Sequence, residues 1–164
     1  MKTVKKLFFL LLLPALFSIS DASAIPQEKK QAVKKLQAKR VIRRTAVVIR
    51  IAHKKVKEGK VYTGNLAKSI AHQKFARKLY RSAKFYRAIH QSRRAKQLAI
   101  LAIKANKGQE TNDMRFSKED EDAMKGDPSD EELDKELQNE MPGESMKDEE
   151  VLNSEPDVDI KEDE

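Results

Sequence analysis

The 164-residue chain has no cysteine and no tryptophan, nine aromatic residues, and only five glycines and five prolines. Without Cys there is no disulfide scaffold and no thiolate metal site. With 37% of residues charged, little apolar area is left to offset chain entropy, so a large packed core is not expected. No Gly-rich phosphate loop and no Ser/His/Asp constellation stands out, and the chain is read as a non-enzyme without a cofactor. His53, His72 and His90 are spaced 19 and 18 residues apart, unlike any chelating motif, so no metal site is assigned. The functional alternative for them is a pH effect, the addition of positive charge near pH 6. The acidic stretch Asp113–Asp122 lacks the Gly and bidentate Glu of a calcium loop.

The long hydrophobic run that is present lies at the start. Lys2, Lys5 and Lys6 precede the apolar segment Leu7–Phe17, and Ala22-Ser23-Ala24 places small residues where a signal peptidase reads. Residues 1–24 therefore read as a secretory signal peptide with Ala22 and Ala24 at its cleavage site. The run is too short to span a bilayer, which takes about 20 residues. Secretion without Cys points to a peptide or flexible protein, since folded secreted domains of this size lean on disulfides.

Charge divides the remainder. Residues 25–107 hold 25 Lys and Arg against two acids, Glu28 and Glu58, a net charge of +23. Residues 108–164 hold 6 Lys and Arg against 23 Asp and Glu, a net charge of −17. Blocks of such opposite sign attract, more strongly at low salt. The acidic block reads as a disordered tail. One short helix is expected in it after the capping box Ser129–Glu132, with Leu133, Leu137 and Met141 on one face.

The basic block reads as two helical segments joined by a turn that Gly59 and Gly64 flank. The first, Glu28–Lys57, is rich in Ala, Lys and Arg. Its β-branched centre, Val47-Val48-Ile49-Arg50-Ile51, suits a strand as well as a helix, and its apolar positions wander around a helical wheel. The second, Asn65–Lys104, has no Gly or Pro and begins with a candidate N-cap, Asn65. Within it Lys74, Arg77, Lys78, Arg81 and Lys84 share one face of a continuous helix. Phe75, Leu79, Ala83, Tyr86 and Ile89 take the opposite face. The predicted fold class is thus all-α or largely disordered.

Such a helix suits an anionic membrane surface. Five cations at about 1 kcal/mol each give roughly 5 kcal/mol, and four half-immersed apolar side chains add about 4 kcal/mol. After helix ordering this leaves binding of the order of micromolar. The rivals are non-specific binding of nucleic acid through the cations, with Tyr80, Phe85 and Tyr86 stacking on bases, and an ordinary core-facing helix. No small-molecule substrate is implied.

The order of signal peptide, basic amphipathic region and acidic C-terminal extension resembles precursors of linear cationic amphipathic α-helical antimicrobial peptides. That resemblance implies a secreted, membrane-disrupting host-defence peptide whose acidic propeptide neutralises the basic part until processing. It also marks the pairs Lys39-Arg40, Arg43-Arg44, Lys54-Lys55 and Arg93-Arg94 as candidate dibasic processing sites. The basic region is longer than is usual for that class. The alternative function is a secreted structural or matrix protein with an acidic, cation-binding tail.

Overall fold

The computed structural model describes residues 27–124, 126–144 and 146–160. The leader expected over residues 1–24, with Ala22 and Ala24, lies outside the described residues. The fold is all-α, with no strand among the described residues. Three long helices occupy the basic half: α1 (Gln27–Gly59), α2 (Asn65–Arg81) and α3 (Phe85–Ala105). The acidic half carries a 3-10 turn at Asn112–Met114 and three short helices, α4 (Lys118–Met124), α5 (Asp130–Glu140) and α6 (Asp148–Val151).

The two open readings of α1 resolve to helix, and the reason is visible in its buried stripe. Ala38, Ile42, Thr45, Ile49, Ala52 and Val56 recur at alternating spacings of four and three, and all are buried. Small side chains at Ala38, Ala46 and Ala52 let neighbouring backbones approach closely. This supplies a core from a sequence poor in large apolar residues. The expectation of no substantial core is thereby corrected: alanine packing replaces the missing aromatics.

Residues 60–64 form the predicted turn. Lys60 and Gly64 have positive φ, and Gly59 lies so close to the Asn106 side chain that a Cβ there would collide with it. Asn106 holds the turn: its Oδ1 accepts from Val61 N (2.9 Å) and its Nδ2 donates to Val61 O and Ala102 O (both 3.0 Å).

The single helix expected over Asn65–Lys104 is instead two. The chain reverses at Ser82–Lys84, where Ala83 adopts a left-handed φ of 56°. Ala83 N donates to Tyr80 O (3.0 Å) and Lys84 N to Leu79 O (2.9 Å), closing the end of α2 as a glycine C-cap would. The reversal brings the Tyr80 and Phe85 rings within 5.4 Å and lets Leu79 and Ile89 enter the same cluster. Burial on both sides of the turn outweighs a backbone cost of about 1–2 kcal/mol.

Each of α1, α2 and α3 packs on the other two, and their short connections make them run up, down and up. One core cluster, near Gly59 and Asn106, contains Ile49, Val56, Leu66, Ile70 and Ile103. The other, near Ala83, contains Ile42, Phe75, Leu79 and Ile89. The acidic half enters both, with Met114 and Val158 in the first and Leu137 and Ile160 in the second. Helix α5 is the one that the capping box predicts: Ser129 accepts from Glu132 N and Glu132 reaches back to Ser129 N (2.8 Å). Its Leu133 and Leu137 are buried.

Candidate anionic-surface interface

The charge division of the sequence becomes a seam between the two halves. On α3, Arg87 binds Glu136 and Glu140 (Nη2–Oε1 2.8 Å to the latter), and Arg94 binds Asp130 (2.6 Å) and Asp134 (2.9 Å). Arg93 and His90 share Asp127, at 3.0 Å and 2.8 Å. On α2, Lys74 pairs with Glu144 (2.8 Å) and Arg77 with Asp157 (3.0 Å). Lys104 pairs with Glu110 (2.8 Å) beyond the end of α3. From α1, Arg50 pairs with Asp159.

Several of these contacts set the proton affinities of the seam. Burial pushes the Asp134 carboxyl up, but the hydrogen bonds and charge of Arg94, joined by the charges of His72 and Lys68, together outweigh it and hold that carboxyl below the ordinary carboxylate range. Arg94 is conversely held above its usual value: burial opposes its charge, and Asp134 and Asp130 more than restore it. Glu140, hydrogen-bonded by Arg87, and Glu110, hydrogen-bonded by Lys104, are both lowered. Burial lowers the Lys96 ammonium, which donates to Arg115 O (2.9 Å) and sits under the Phe116 ring, pinning that segment over α3.

Beneath the seam runs a buried polar layer. Ser69 Oγ donates to Ala95 O (2.7 Å), Thr45 Oγ1 to Ser92 O (3.2 Å) and Ser92 Oγ to Gln73 Oε1 (3.0 Å). Gln73 Nε2 donates to Ile42 O and Val158 O, tying α1, α2 and the C-terminal segment together. His72 is 1% exposed, with Nδ1 2.6 Å from Gln91 Oε1 and Nε2 3.1 Å from Asp134 Oδ1. Gln91 Nε2 donates to Leu133 O, so its Oε1 is the atom that receives the Nδ1 proton. Burial lowers the affinity of His72 for a second proton, against the opposing pull of Gln91 and Asp134. His72 therefore belongs to the joint between the halves and not to an exposed cationic surface.

The residues expected to form one cationic and one apolar face are separated by the turn at Ala83. Lys74 is half-buried and Arg77 buried, both paired with the acidic half. Lys78 is exposed and donates to Glu140 O (3.2 Å), while Arg81 and Lys84 are exposed. Phe75, Leu79 and Ile89 lie in the core; Ala83 is exposed in the turn; Tyr86 is exposed with the Lys34 ammonium 5.4 Å from its ring centre. The apolar face expected for lipid is thus largely spent inside the bundle, because α1 and α3 offer it dry partners. The pairs Lys39-Arg40, Arg43-Arg44 and Lys54-Lys55 lie within α1 and Arg93-Arg94 within α3, where Arg93 is buried.

Sequence reasoning missed a second stripe on α1. Lys29, Val33, Leu36, Arg40, Arg43, Val47, Arg50 and Lys54 recur at alternating spacings of four and three, and all are exposed. This stripe has the same period as the buried one and lies opposite it. The wandering of apolar positions around the helical wheel was its signal: two sets were superposed. Comparison with family models, with curated proteins and with solved structures finds no match.

Proposed function

We propose that the chain is a latent, secreted, cationic host-defence protein whose basic helices act on anionic membranes and whose acidic half restrains them. The observation that carries this reading is the seam: carboxylates between Glu110 and Asp157 are laid on cations of α2 and α3, with Arg87 and Arg94 each gripped by two of them. Secretion rests on the leader pattern of residues 1–24. Helices α2 and α3 meet lipid only when the seam and the core beneath it open, because Phe75, Leu79 and Ile89 are otherwise buried. Removal of the acidic half, or competition from a dense anionic surface, favours that opening by mass action.

Dye release from vesicles containing phosphatidylglycerol tests the reading on the full chain. A variant carrying Asp130→Asn, Asp134→Asn, Glu136→Gln and Glu140→Gln is expected to release dye at about tenfold lower concentration, following a weakening of the restraint by one to two kcal/mol. Equal release by the variant and the unaltered chain overturns the restraint.

A further inference from the structure

The acidic half leaves one long surface of the bundle uncovered except at Arg50, which meets Asp159. Helix α1 carries twelve Lys and Arg against Glu28 and Glu58. Of those cations Arg50 pairs with the acidic half and Lys55 with Glu58 of its own helix, whereas Lys29, Arg40, Arg43 and Lys54 have no carboxylate partner among the described residues. Between them stand Val33, Leu36 and Val47, exposed by 61%, 68% and 51%. The stripe from Lys29 to Lys54 runs about 38 Å along the helix at 1.5 Å per residue.

The geometry points to this stripe as a docking surface for an anionic lipid bilayer, used by the intact, uncleaved chain. Cations and aliphatic side chains alternate along one line of a rigid helix. A bilayer interface satisfies both at once, with headgroups for Arg40 and Arg43 and acyl boundary for Val33, Leu36 and Val47. A nucleic acid would use only the charges, since the stripe offers no aromatic ring for base stacking and leaves its aliphatics in water. A second copy of the chain would bring like charges together along the whole stripe. Helix α1 is already folded, so docking requires no helix ordering. This deepens the function proposed above and rests on its choice of an anionic membrane as target, yet it assigns first contact to a face that the restraint touches only at Arg50.

Sedimentation of the full chain with vesicles of phosphatidylcholine, alone or with phosphatidylglycerol, provides the test. Binding is expected only with phosphatidylglycerol. Val33→Ser, Leu36→Ser and Val47→Ser together are expected to weaken it by about a hundredfold, and Arg40→Gln with Arg43→Gln by at least tenfold. All five positions are solvent-exposed, so an unchanged helical circular dichroism spectrum checks that the fold is kept. Lys135→Gln, at an exposed position on α5 of the acidic half, is expected to leave binding unchanged.

Absence of binding by the unaltered chain, or binding that the serine variant does not weaken, overturns the proposal. So does a DNA duplex that binds with comparable affinity and equal indifference to the serine substitutions. Vesicle binding lost in the α1 variants while the neutralised acidic half releases no extra dye leaves docking standing and removes the restraint. The converse pair of results removes docking alone.

Discussion

Asp148 caps a helix that begins 83 residues before it. Its Oδ2 accepts from Thr63 N (2.9 Å) and Gly64 N (2.8 Å), and its Oδ1 from Ala67 N (2.9 Å). Asn65, the residue that local rules select as N-cap, is instead the first residue of α2. A carboxylate in this place satisfies three backbone donors and meets the positive end of the helix dipole. It is 1% exposed, so water does not replace it when it is removed. Asp148→Ala is expected to cost about 2 kcal/mol in urea unfolding. Amide exchange at Thr63, Gly64 and Ala67 should accelerate before that of the core. Unchanged exchange at those three amides would show that the cap carries little.

Acid should loosen the joint between the halves. His72 binds its second proton less readily when folded than its ordinary value of 6.5, so below pH 6.5 the unfolded chain takes up a proton that the folded chain resists. Stability therefore falls as pH drops from 6.5 through the depressed value. Asp134 adds in the same direction at lower pH: its depressed carboxyl contributes stability above the ordinary carboxylate range, lost as pH falls through its folded value. Urea unfolding between pH 7 and pH 3 measures both. His72→Gln is expected to flatten the upper part of that curve and leave the lower part in place.

The restraint has an apolar component that outweighs its exposed ion pairs. Leu137 is buried in the cluster with Phe75 and Ile89, and Leu137→Ala is expected to cost about 3 kcal/mol. Arg87 is more than a third exposed, and Arg87→Gln is expected to cost no more than about 1 kcal/mol. In 1 M salt, where the Debye length is about 3 Å, the exposed pairs are screened. Helix content should then persist because Leu133, Leu137, Val158 and Ile160 remain buried. Loss of α5 amide protection in salt alone would reverse this ranking.

The turn between α2 and α3 offers a gain of stability. Ala83 is exposed at φ 56°, where its Cβ is strained and glycine is not. Ala83→Gly is expected to stabilise the chain by about 1 kcal/mol, read as a raised thermal midpoint with unchanged helix content. A lowered midpoint would place the strain elsewhere.

Local signals made much of this protein legible. Ala, Lys and Arg over the basic half specify helix; Gly59 and Gly64 specify the first break; Ser129 and Glu132 start α5 as a capping box should. These are interactions within a few residues, and a linear reading contains both partners. The opposite net charges of residues 25–107 and 108–164 likewise announce an attraction between halves, without saying which carboxylate meets which cation.

Tertiary structure decided the rest. The break at Ala83 carries no glycine and exists because both flanking helices gain burial against α1. The role of Asp148 as a cap depends on a backbone it meets only after the chain has folded. The alanines and Thr45 of α1 count as core only once close neighbours are in place, and that assignment alone turns Lys29, Val33, Leu36, Arg40, Arg43 and Val47 outward. Composition and short-range geometry act along the chain, whereas burial and long-range capping depend on which segments come together, and no single helix of this sequence contains that information.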